Sequence, residues 1–197
     1  MFSDAVVAIA MTLLAIDLPV PSGNTEHEFW LQVRHNSGHY AAFLISFAVI
    51  ASARGVHHDI FRYVKRTDAR LREYNTVWLL AIVLIPFATR LLTPSVAEPR
   101  DIHALGFGFY ALLQVLESGM LFIMLRHVTS HEEAPDFPRP VVAAMAWRSW
   151  SLVITFAVSI PLFFVTVNAW LLWVLGPLLI DQVRRRRHPE STTQARF

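Results

Sequence analysis

Several residues in this sequence have the types and spacing to do chemistry. Phe2-Ser3-Asp4 opens a long apolar stretch. Ser3 or Asp4 can cap free N–H groups at a helix start, where an acidic side chain also suits the positive end of the dipole. His57-His58, followed by Asp59, offers metal-ligand types. Adjacent residues point in different directions on a helix, so a hydrogen-bonded cluster with Asp4 and Asn75 is expected there and no metal site. Glu117 stands near the middle of an apolar run. An ionisable group in such a place either handles protons or ions, or bonds to a neighbouring helix. His127, His131, Glu132 and Glu133 gather ligand types without a recognised metal spacing and read as a solvated loop. Leu105-Gly106-Phe107-Gly108-Phe109-Tyr110 has the glycine spacing of an ion-filter loop, but no Thr-Val precedes it. Small residues for close helix packing are the expectation there.

Much chemistry is excluded. With no cysteine there is no disulfide, thiolate metal site or cysteine nucleophile. Walker, dinucleotide and nucleophile-elbow motifs are missing. We expect no enzyme activity and no cofactor.

These residues must be positioned by membrane helices. Of 197 residues, 54% are hydrophobic and only 16% charged, and mean hydropathy is +0.43. A soluble domain carries about 25% charged residues. Six apolar runs approach the roughly 20 residues that a span needs. They cover about Ser3–Val20, His39–Val56, Tyr74–Leu92, Ala104–Leu125, a segment within Val142–Val167, and one within Ala169–Val183. The last two are parted only by a short apolar turn near Thr166–Asn168, so they form a tight hairpin or include a re-entrant segment. The first lacks a basic leader and an A-x-A cleavage pattern, so it is expected to stay as a span. Residues 1–183 then form a six-helix transmembrane domain and 184–197 a basic tail.

Charge orients the bundle. Arg54, Arg62, Lys65, Arg66, Arg70 and Arg72 follow the second span, and Arg126, Arg139 and Arg148 follow the fourth. Arg184, Arg185, Arg186, Arg187 and Arg196 end the chain, and only Arg34, Arg90 and Arg100 lie on the other side. Basic loops stay in the cytoplasm, so both termini are expected there. The same distribution explains the pI of about 9.4 without nucleic acid as a partner. The lipid bilayer is the expected partner instead.

In the first span Ile9, Leu13 and Ile16 recur at i, i+4 and i+7, one helix face, with Thr12 beside them. Such a stripe can pack, meet lipid, or line a pore in a symmetric assembly. A ring of branched apolar side chains closes a pore by excluding water, and threonine hydroxyls can replace part of a cation's hydration. Periodicity alone leaves these open.

Phe2-Ser3-Asp4-Ala5-Val6, the apolar stretch, Thr12-Leu13-Leu14 and the closing Pro19 together resemble the first-helix signature of the transmembrane protein 175 potassium channel family. Ser46-Phe47, His57-His58, Asn75 and Pro86-Phe87 extend the resemblance. It implies an all-α polytopic membrane protein, a homotetramer around a central pore in a prokaryotic plasma membrane, passing potassium ions. It implies a pore constriction at Ile9, with Leu13 and Ile16 following outward, and ion selectivity at Thr12. It also implies a structural polar cluster of Ser3, Asp4, His57, His58 and Asn75. Two positions depart. The family usually has a basic residue shortly before Phe-Ser-Asp, where this sequence opens Met1-Phe2, and Arg54-Gly55-Val56 stands where tryptophan often precedes the histidine pair. The rival readings are a proton- or ion-coupled secondary transporter using Glu117, and a membrane enzyme with a histidine-bound metal.

Overall fold

The computed structural model describes residues 2–93, 100–130 and 137–187. Among them the chain is all-α. Helix α1 spans Phe2–Ile16, α2 Glu26–His35, α3 Ser37–Tyr63, α4 Ala69–Arg90, α5 Arg100–Ser130, α6 Arg139–Val165 and α7 Leu171–Arg187. One 3-10 turn, Val167–Trp170, joins α6 to α7.

Local signals set these boundaries. Asp68 caps α4, its carboxylate accepting from the Leu71 N–H at 2.7 Å, which satisfies a donor the helix cannot. Pro140 sits in the first turn of α6, where its missing N–H costs nothing. Helix α2 lies between the first and second apolar runs. Thr25 caps it, accepting from the Glu28 N–H at 3.2 Å, while the Glu28 carboxylate accepts from the Asn24 N–H at 2.8 Å. That is a variant of the Thr-x-x-Glu capping box.

Helices α3 to α6 are long and apolar enough to cross a membrane. Helix α1, at 15 residues, is about 22 Å long by its rise and shorter than a typical hydrocarbon core of about 30 Å. Helix α7 has 17 residues and carries Arg184–Arg187 as its last turn, so helix continues into the segment expected as a tail. Residues 188–197, with Arg196, lie outside the described residues.

Paired residues give the helix directions. Ser3 meets Asn75 and Asp17 meets Arg90, so α1 runs parallel to α4. Asp4 meets Arg54, and Tyr40 donates to the Pro19 carbonyl, so α1 is antiparallel to α3. Trp173 donates to Ser159 and Gly176 closes on Thr155, so α7 returns along α6 as a tight hairpin. Gly106 of α5 lies close against the end of α4, where an added Cβ would clash with the Leu91 carbonyl oxygen. Gly108 faces open space, so only one of the two glycines serves close packing. The core runs through the α1–α4–α5 seam, with Trp78, Ile82, Ile85, Tyr110 and Met124 fully buried.

Candidate functional site

Helix α1 has two faces of different use. Val7, Ala10 and Leu14 are buried against α3 and α4. On the other side Ile9 is 58% exposed, Leu13 41% and Ile16 75%. At about 100° per residue, Ala5, Ile9, Thr12 and Ile16 fall within one narrow arc, with Leu13 on its flank. Ala5 and Thr12 are exposed as well. The Thr12 hydroxyl donates to the Ile9 carbonyl at 2.8 Å, which holds its oxygen against the helix beside the Ile9 side chain. An unpartnered apolar face this long on a helix already packed by its other face is a surface awaiting lipid or copies of itself.

The polar groups gather at the end of the bundle where α1 begins. Asn75 donates to the Ser3 hydroxyl at 3.4 Å and accepts from His57 Nε2 at 2.7 Å. An amide oxygen only accepts, so the imidazole carries its proton on Nε2. The His57 ring lies between Trp78, 4.1 Å away at 10°, and Phe61, 4.4 Å away at 26°. Ser3, His57 and Asn75 are thus brought together. Asp4 bonds instead to Arg54 of α3 at 3.1 Å, a partner the sequence reading did not name. His58 is exposed on the neighbouring position. No group of three or more histidine or acidic side chains among the described residues could hold a metal ion.

Further up the seam Ser46 bonds to Thr89 at 2.8 Å and to Tyr110 at 3.0 Å, all three buried, which ties α3, α4 and α5. Glu117 is also buried. Its oxygens accept from Trp78 Nε1 and from the Ser118 hydroxyl, each at 2.9 Å. Asp17 pairs with Arg90, so its charge at that end of α1 is partly neutralised. His127 departs from the solvated reading: it is buried and bonds to Asp68 at 3.0 Å. His131, Glu132 and Glu133 lie outside the described residues.

The arrangement therefore has an outward apolar stripe on α1 and a polar clamp at that helix's start. A family model described as endosomal/lysosomal potassium channel TMEM175 matches residues 1–86, which hold both. A potassium channel of Streptomyces collinus is 32% identical over 149 residues, covering 75% of this chain and 72% of the relative. This chain belongs to the TMEM175 family. A potassium channel of Chamaesiphon minutus is 38% identical over 101 residues, half the length of each protein. The crystal structure of a lysosomal potassium-selective channel TMEM175 homolog from Chamaesiphon minutus matches with a TM-score of 0.70 at 26% identity, over 98% of this chain and 95% of that one. A variant of the potassium channel MtTMEM175 shares the fold with a TM-score of 0.67 at 16% identity.

Proposed function

We propose that this protein is a potassium-permeable cation channel whose pore is lined by α1. Four copies surround one axis, each presenting Ile9, Leu13 and Ile16 inward, with Ile9 as the narrowest ring. The observation that carries this reading is the exposed stripe itself. Helix α1 packs on its own chain through Val7, Ala10 and Leu14 and leaves its branched apolar face uncovered. One chain offers one such face, so closing a pore takes a symmetric ring. A dry apolar ring resists ions because they would shed water there without compensation. Thr12, next to that ring, offers hydroxyl oxygens for the partial replacement of hydration and is the candidate for potassium preference.

In this reading all six apolar helices cross a bacterial plasma membrane with both termini in the cytoplasm. The fourteen-to-three division of basic residues supports it.

The test is cation flux from liposomes holding the purified protein, with reversal potentials under mixed potassium and sodium. The parent passes potassium in preference to sodium. Ile9→Asn wets the ring, raises conductance severalfold and weakens that preference. Thr12→Ala weakens the preference with little gain in conductance. Parental behaviour of both variants would remove α1 from the pore wall.

A further inference from the structure

Glu117 carries a carboxyl in the apolar interior of the bundle, 1% exposed, where an unpartnered polar group is costly. The permeation reading gives it no task, and its partners indicate one. Trp78 reaches it with the indole N–H at 2.9 Å, which fixes the ring's orientation. The flat of that ring lies almost parallel to His57 at 4.1 Å. His57 donates to Asn75, and Asn75 donates to Ser3 in the first turn of α1. The hydrogen bonds set angles and the face-to-face stack sets the distance between Trp78 and His57, so each link constrains the next.

We propose that Glu117 is a positioning residue for the pore helix. Its carboxyl fixes Trp78, and Trp78 fixes the His57–Asn75 pair that anchors α1 at Ser3. The inference rests on the reading of α1 as the pore wall and extends it to a residue of α5. The packed face of α1 is wholly apolar, with Val7, Ala10 and Leu14 buried and Val6 and Met11 beside them, so the directional anchor of that helix is at Ser3. A ring built from four such helices changes its width when each one tilts, and ion dehydration at an apolar ring is sensitive to width. A leucine at 117 would fill the space without penalty to burial, but it offers Trp78 no acceptor.

The protein in liposomes provides the test, read as reversal potential under opposed potassium and sodium gradients. That potential does not depend on how many channels fold, so a role in stability alone would not move it. Glu117→Leu and Trp78→Phe each shift it toward the sodium potential, in the direction given by Ser3→Ala. The double variant shifts it no further than either single one, because both break one link. Glu117→Gln keeps an acceptor for the indole and restores the parental value. A parental reversal potential in Glu117→Leu overturns the proposal, and so does a Glu117→Gln channel that behaves as Glu117→Leu does. Should Glu117→Leu not fold, Trp78→Phe decides alone, since it keeps an aromatic ring against His57 and loses the N–H that reaches Glu117. Ile9→Asn separates the two readings. If it shifts the potential while the position-117 and position-78 variants do not, the positioning role fails and the pore wall stands. If Ile9→Asn leaves the potential unchanged, the pore wall itself fails.

Discussion

The front and back of this bundle are held by different forces. From α1 to α5, buried and half-buried polar side chains bridge the helices: Ser3–Asn75–His57, Ser46–Thr89–Tyr110 and Trp78–Glu117. From α5 to α7, stacked rings take over. Phe107 lies 4.5 Å from Phe163 and 4.6 Å from Trp173, and Trp173 lies 4.9 Å from Tyr110. Hydrogen bonds fix angles and register, because their energy falls steeply with misalignment. Ring packing fixes distance more than angle and tolerates sliding. The helix with the exposed stripe is therefore held by the directional set, and the outer hairpin by the permissive one. The residues matched by the family model, 1–86, fall in the directional part.

The strongest challenge to this contrast is steric. Gly106 brings α5 onto the end of α4, and a methyl group there would clash with the Leu91 carbonyl oxygen. Backbone cannot yield as a side chain can. Gly106→Ala should cost roughly 1–3 kcal/mol as an overpacked contact, read as a lower melting temperature of the purified protein. Gly108→Ala is the control, since nothing stands within 4 Å and alanine favours helix. Equal melting temperatures for the two variants would show that the α4–α5 seam is not set by close approach.

Next in size is the clamp. Asn75→Ala leaves the buried His57 N–H without its acceptor, a loss of about 1–3 kcal/mol. On the permissive side, Ser159→Ala removes the 2.8 Å bond from Trp173 Nε1 and leaves the indole among its neighbours. A loss near 1 kcal/mol is expected there. Thermal melts of the two should rank Asn75→Ala below Ser159→Ala, because Asn75→Ala also breaks the bond to Ser3. The reverse order would mean that the ring stack, and not the polar clamp, is what the bundle depends on.

The sequence makes the two sides unequally legible. Ser3, His57 and Asn75 stand out because polar residues at the ends of apolar runs are rare and need partners. The six apolar runs follow from length and hydropathy, and the start of α1 is marked by Phe2-Ser3-Asp4. Partner choice is another matter. Glu117 could be flagged as buried and acidic, but its bond to Trp78 depends on how α4 and α5 are staggered, which no local pattern encodes. His127 pairs with Asp68 for the same reason and so escapes a reading based on its polar neighbours. Helix α2 is legible by another signal: Thr25-x-x-Glu28 is a capping signature in a polar segment that hydropathy alone does not mark.

The smallest expected effect concerns Asp4 and Arg54. They form the only ion pair among the described residues that joins α1 to α3, and it sits beside the clamp. It differs from the clamp in exposure, with the Arg54 side chain 52% and the Asp4 side chain 44% accessible in the single chain. Water competes for both ions, and ordering a long arginine side chain costs entropy, so such pairs contribute about 0–1 kcal/mol. Arg54→Ala should therefore move the melting temperature less than Asn75→Ala, although both residues contact the first turn of α1. Salt separates the two further. The contribution of an exposed pair shrinks as ionic strength rises, whereas the part-buried His57–Asn75 bond is between neutral groups, which salt does not screen. Melts of the Arg54→Ala variant and the parent should converge at high salt, and the deficit of Asn75→Ala should persist. A large, salt-independent loss for Arg54→Ala would place the pair in a buried environment, as a neighbouring copy packed over it would create, and would add it to the directional set that holds α1.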